Sequence, residues 1–335
     1  VELSTKRVLA PIYEPMFEGS SYGYRPGRSQ HQCLDILGRT IQQTKVNFVV
    51  EADVCSFFDE VDHGWMVRFL RHRVGDLRVI RLVQRMLKGG TMEDGLVKAS
   101  EAGTPQGSIL SPLLSNIYLH YVLDLWFRKR VQTRCRGEAY YVRFADDFVA
   151  CFQYQGDADA FVKQLAKRLG EFALKLAEDK THRIEFGRFA RRDAGRRGKK
   201  PQEFTFLGFT HYCGKNKEGY FKVKRRTSRK KFGQSLKEFG DWARKARCYL
   251  RKGEMLRQAK RRIVGHLNYF AITDNARCCS LYVHFAERLV FKWINRKSQR
   301  RAYTWPGFKA VRATVGWPTG EIRKDLNPCR RAEAL

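Results

Sequence analysis

Two stretches of the chain are β-branched and aromatic on both sides of acidic residues. Tyr140-Tyr141-Val142-Arg143-Phe144-Ala145-Asp146-Asp147-Phe148-Val149-Ala150-Cys151-Phe152 predicts a strand, a tight turn carrying Asp146 and Asp147, and a return strand. Upstream, residues 47–59 predict another strand, with Asp53 near its C-terminal end. Residues 204–212 (FTFLGFTHY) predict a third strand, then a turn over 213–219 and a strand at FKVKR. Helical spacing marks the first 20 residues, where Leu3, Val8, Leu9 and Ile12 share one stripe. It recurs at Gln30–Gln43, from DEVDH to about Arg73, and over 76–87, which Gly89-Gly90 closes. Further helices are predicted over 111–130 and 157–174, and near 228–250, 254–272 and 279–298. Trp242, Tyr249, Tyr269, Phe270, Phe285, Phe291 and Trp293 are expected to supply the core of the last three. Residues 187–203 are poor in apolar positions and predict a flexible basic loop, and the tail after Pro318 predicts poor order. Antiparallel strands followed by a separate helical region make the fold class α+β.

The 335 residues, 43% hydrophobic, suffice for a large core and two or three domains. The formal net charge of +31 changes the picture, because such an imbalance implies a polyanionic partner. An anionic membrane surface is the competing partner, but no amphipathic anchor with a large apolar face stands out. No apolar run reaches transmembrane length and the N-terminus has no signal-peptide pattern, so the expectation is a cytoplasmic chain. The charge is uneven: between Arg188 and Arg262 there are 26 Lys/Arg against 6 Asp/Glu, a net +20. Nine cysteines are scattered without a single Cys-x-x-Cys pair, which argues against zinc and for reduced, buried thiols.

Adjacent carboxylates repel unless a cation neutralises them, although Asp also simply favours solvated turns. Context supplies a second acid, Asp53, and a Gly/Pro-punctuated loop at 103–112 that opens a helix. A lone Asp on one strand and an Asp pair on a hairpin are what two-metal phosphoryl transfer requires. Mg²⁺ takes oxygen ligands and leaves part of its shell to substrate phosphates.

Taken together, SYGYRPGRS (21–29), VVEADVCSFFDEVDH (49–63), GTPQGSILSPLLSNIYL (103–119), YYVRFADDFV (140–149), FTFLGF (204–209) and GHLNYFAI (265–272) resemble the reverse transcriptases of bacterial group II introns. Their order and spacing run over nearly the whole chain. The family's usual Tyr-Ala-Asp-Asp is here Phe144-Ala145-Asp146-Asp147, which keeps the acids and loses one phenol. The resemblance implies a right-hand polymerase: partial fingers over 1–48, a palm over 49–225, a three-helix basic thumb (maturase domain X) over 226–300 and a tail over 301–335.

It also implies two Mg²⁺ ions held by Asp53, Val54, Asp146 and Asp147. Phe58 would lie under the sugar of the incoming nucleotide and exclude a 2′-hydroxyl. By strand alternation Phe57 and Phe58 would face opposite ways, so at most one is the gate. Gln106 and Gly107 would lie against the nascent base pair, and Lys180 near the departing pyrophosphate as a general acid. Arg25 and Arg28 would contact template phosphates, and Arg225, Arg226, Lys230 and Lys231 would grip nucleic acid.

The implied activity is RNA-directed DNA synthesis from a DNA primer on an RNA template with deoxynucleoside triphosphates, alongside splicing and mobility of an intron RNA. The cysteine pairs of the endonuclease that ends many family members are absent, so the endonuclease-lacking type is expected. A basic fingers segment that grips the triphosphate precedes this region in the family, so the expectation is either that this chain is a fragment or that a protein partner supplies the segment. Two alternatives stay open: a related enzyme serving antiviral defence or CRISPR spacer acquisition, and a non-catalytic RNA-binding splicing factor.

Overall fold

The computed structural model describes residues 1–89, 91–93, 96–98, 103–104, 107–298 and 300–326. They form two units, Val1–Leu207 with Cys213–Val223, and Gly208–Tyr212 with Lys224–Leu335.

The first unit is built on a four-stranded antiparallel sheet. Its order is Ala139–Phe144, Asp147–Phe152, Phe48–Ala52, His182–Glu185. The two central strands are apolar on both faces, and Val49, Val50 and Phe148 through Phe152 are all buried. Helix Gln155–Gly170 covers the sheet with Ala158, Phe161, Leu165 and Leu169. Aromatic contacts lock this layer, with Phe152 and Phe161 centroids 5.2 Å apart and Phe127 stacked on Tyr141 at 4.9 Å. Register decides where the acids go. Ala52 pairs with Phe148, so the end of one strand lies beside the start of the other and Asp53 comes to the same sheet end as Asp146 and Asp147.

Several expectations need correction here. The strand carrying Asp53 stops at Ala52; Ser56 is left-handed (φ 39°) and Phe57–Glu60 is one helical turn. Phe57 and Phe58 are therefore not on opposite faces of a strand. The N-terminal helix Glu2–Tyr13 buries Thr5, Leu9 and Tyr13, four apart, and leaves Leu3, Val8 and Ile12 exposed. The helix from Ser111 runs to Arg134, past the predicted end, and widens into π-type turns at His120–Asp124 and Phe127–Val131. The basic loop is not structureless: Ala190–Arg196 is helical, with Ala190 and Ala194 buried. The stretch 204–212 is two strands, Glu203–Phe206 and Phe209–Lys215, broken at Leu207 and Gly208, both at positive φ.

The second unit is a helical bundle of Arg229–Tyr249, Lys252–Phe270 and Ala276–Ile294, joined by Trp305–Thr314. Ser228 caps the first, its hydroxyl accepting from Lys231 N. The core differs from the predicted one. Aliphatic and small residues fill it, including Ala243, Ala246, Leu256, Ile263, Leu267, Ala286 and Val290. Of the seven aromatics expected there only Phe270 is fully buried, and Tyr249 is 66% exposed. The described part of the tail, up to Leu326, is tied to the bundle, contrary to the expectation for it. Ile272 bridges Lys324, Thr273 Oγ1 donates to Asp325 Oδ1 at 2.6 Å, and Leu326 is buried.

Candidate active site

The hairpin tip is a two-residue turn. Phe144 pairs with Asp147, leaving Ala145 and Asp146 in the bend, and Ala145 takes a left-handed conformation (φ 58°) that an L-residue adopts only when held. Arg143 holds it from below. Its guanidinium, fully buried, donates to both Asp124 oxygens at 2.8 and 2.6 Å, to Asn116 Oδ1 at 3.1 Å and to the Ala145 carbonyl at 2.8 Å. Asn116 in turn donates to the Gly23 carbonyl at 2.7 Å. From the other side, Arg143 N donates to Ser20 O, and Tyr22 N donates to Arg143 O. Gly23 then passes so close that a Cβ on it would stand 2.2 Å from Ala145 N, so only glycine fits. The wide turn at His120–Asp124 is what delivers Asp124 to this point.

Around the tip the electrostatics are those of anions crowded together. Burial and the Asp53 charge raise the Asp146 carboxyl. Loss of water, then the Asp146 and Asp53 charges, push Asp147 up to about 6. Glu51, on the strand that ends just before Asp53, is pushed up to about 7 by burial, despite accepting the Thr205 N–H. Arg143 and Lys180 oppose this charge: Lys180 Nζ lies 2.6 Å from Asp53 Oδ2, a contact that raises its own pKa. Among the described residues no three acids, His or Cys converge tightly enough to enclose a metal ion. The donor chemistry nonetheless fits a hard divalent cation, since the acids are all oxygen donors gathered at one sheet end.

An acidic cluster on a two-strand tip of an antiparallel sheet, braced by a buried arginine, can gather cations against a phosphate ester. Comparison with known proteins gives this geometry its family. Residues 2–211 match the family model described as reverse transcriptase (RNA-dependent DNA polymerase). The chain belongs to the reverse transcriptase family. It is 32% identical over 215 residues to Protein YkfC of Escherichia coli (strain K12), covering 54% of this chain and 55% of that protein. It is 37% identical over 129 residues to the group II intron-encoded protein LtrA of Lactococcus lactis subsp. cremoris, 37% of this chain and 21% of that one. The chain thus spans about half the length of the first relative and a fifth of the second. In structure it is similar to apo telomerase from Candida tropicalis (TM-score 0.51, 13% identity, 93% of this chain and 53% of that one), a likeness of fold.

The reverse transcriptase frame shows where the other expected residues lie. Val54 is buried and bridges Leu176, so it offers only its backbone. Phe57 enters the core, while Phe58 is half-buried at its edge. The 103–104 segment docks on the Phe58 turn: Thr104 N donates to Phe58 O at 2.7 Å and Gly103 N to Val61 O at 2.8 Å. Gly107 is exposed at φ 91° with open space where a Cβ would stand. Gln106 lies outside the described residues.

Three arginines are corrected. Arg25 spends its fork on Glu14, Glu18 O and Ser21 O, and its side chain is 7% exposed, so it ties a loop instead of meeting phosphate. Arg28 similarly binds the Gly19 and Ser21 carbonyls and covers the Tyr22 ring. Arg225 is 1% exposed, because alternation in Phe221–Thr227 turns Val223, Arg225 and Thr227 inward. Arg226 and Lys230 are exposed and Lys231 is half-exposed. Sequence reasoning missed Glu51, Asn116, Asp124 and Tyr24. Tyr24 packs beside Phe144 (6.5 Å), and burial and the Asp146 and Asp147 charges raise its phenol. Glu51 alone carried a legible signal, its i−2 spacing from Asp53.

Proposed function

We propose that this protein is an RNA-directed DNA polymerase of the group II intron type. It extends a DNA primer on an RNA template with deoxynucleoside triphosphates and assists the splicing and mobility of a structured intron RNA. The observation that carries the proposal is the meeting of Asp53, Asp146 and Asp147 at one sheet end, in a chain whose residues 2–211 match the reverse transcriptase family. Asp53, Asp146 and Asp147, with the Val54 backbone, would hold two Mg²⁺ ions. When bound, these lower the pKa of the attacking 3′-hydroxyl and neutralise charge on the leaving pyrophosphate. The chain's own residues do the rest. Arg143 and Asp124 fix the turn so that Asp146 and Asp147 keep their aim without reorganising during the reaction. Lys180, protonated and largely exposed, can transfer from Asp53 to a phosphate oxygen and give its proton to the leaving group. Phe58 stands against the 2′ side of the sugar, and Gly107 lets the base pair approach the backbone. Arg226, Lys230 and Lys231 grip the backbone of the nucleic acid. Among the described residues no helix is long and apolar enough to cross a membrane.

The test is primer extension on an RNA template with Mg²⁺ and deoxynucleotides, parent against Asp146→Asn. The proposal expects extension by the parent and none by the variant, with RNA binding nearly unchanged. A parent that binds RNA but extends no primer would favour the splicing-factor role instead.

A further inference from the structure

Helix Ala276–Ile294 is apolar on two faces, and the bundle uses only one. Cys279, Tyr282, Ala286, Val290 and Ile294 are buried. On another face Leu281 and Phe285 stand 40% and 42% exposed, and Leu289 continues the row at four-residue spacing. Leu236 of the first bundle helix faces this row across a groove of about 700 Å³. Phe291 and Trp305, edge to face at 4.7 Å, form its aromatic end wall. A volume of that size lies in the range of small-ligand sites. Both charged residues that line the groove, Arg288 and Lys292, are cations, and among the described residues neither joins an ion pair.

The lining selects the occupant. A second copy of the chain would bring +31 against +31, which disfavours self-association on this face. An occupant must present flat apolar surface and negative charge a few ångströms apart. Unpaired nucleotides do both, because every base has a π-face and every sugar a phosphate. Paired RNA hides its base faces in the stack. We propose that this groove binds unpaired RNA nucleotides, with a base against Phe285 and the Phe291–Trp305 wall and its phosphates on Arg288 and Lys292. The proposal rests on the RNA-binding reading of the second unit. It deepens that reading from backbone attraction, which is indifferent to strandedness, to selection of single-stranded positions.

The experiment is a fluorescence-anisotropy titration of the full chain with an unstructured RNA oligonucleotide and with a blunt RNA duplex, each across a salt series. Phe285→Ala, whose side chain is already exposed, should melt like the parent. It should bind the single strand roughly 5- to 150-fold more weakly, the range for loss of one base–aromatic stack, with the salt slope and the duplex affinity unchanged. Phe285→Trp should restore single-strand affinity, and Arg288→Ala should reduce the single-strand slope by about 0.7. Equal losses on single strand and duplex, or no loss, would overturn the proposal. Reversal of Arg226 and Lys230 to Glu separates the two failures. If it weakens both RNAs while Phe285→Ala does nothing, the RNA reading stands and the groove belongs to an acidic protein segment. If neither variant matters, the RNA reading has failed too.

Discussion

Asp124 and Arg143 are both sealed from water, so each depends on the other for its charge. Arg143→Met should strand a buried carboxylate and cost about 3–5 kcal/mol in urea unfolding. Arg143→Met with Asp124→Leu should recover most of that stability, since an apolar replacement of a buried pair is often neutral. The double variant should still extend primers poorly, because the Ala145 carbonyl has lost its donor. Recovery of both stability and extension would reduce the pair to packing. Glu51 makes a pH prediction. Its carboxyl binds a proton more tightly folded, at about 7, than unfolded, near 4.5. The resulting stability is full below pH 4.5 and lost as pH rises through 7, a change of at most about 3 kcal/mol. Melting temperature should therefore fall between about pH 5 and pH 8, and Glu51→Gln should flatten that fall; an equal slope in both proteins would contradict it. Asp53, Asp146 and Asp147 were legible because acids at the ends of apolar strands stand out and are spaced like a known site. Asp124 and Asn116 were not, because nothing local marks a helix residue that will meet a strand 19 or 27 positions later.

Elements repeat the same division. Three of the four palm strands were legible as continuous apolar and aromatic runs and the three late helices from their period, whereas His182–Glu185, short and polar, was not read as a strand. Errors fell where the backbone leaves regular geometry: the left-handed Ser56 that turns strand into helix, the break at Leu207 and Gly208, and the wide turns after Leu119. The Ser56 turn matters for function. It sends Phe57 inward and leaves Phe58 at the core edge, tied through its carbonyl to Thr104. Phe58→Ala should raise ribonucleotide incorporation relative to deoxynucleotide in single-nucleotide extension. An unchanged ratio would make Phe58 a core residue and place the discrimination elsewhere.

For the whole molecule, charge is the dominant fact, with +20 of the net +31 between residues 188 and 262. Aromatics misled the core prediction because guanidinium groups cover part of several of them; Arg262 lies over Trp242 at 4.6 Å and Arg247 over Trp293 at 5.0 Å. Reversing Arg226, Lys230 and Lys231 to Glu should weaken binding to every RNA and flatten the salt dependence by about 0.7–0.9 per lost phosphate contact. Unchanged slopes would mean that this surface faces another partner. The central claim is that the acids at the sheet end carry out nucleotidyl transfer. Its most direct test is single-turnover addition of one deoxynucleotide to a primer preannealed to RNA, with parent and Asp146→Asn at equal RNA occupancy. The account predicts Mg²⁺-dependent addition by the parent and loss of addition in the variant at unchanged affinity. Addition by Asp146→Asn at the parent rate would contradict it.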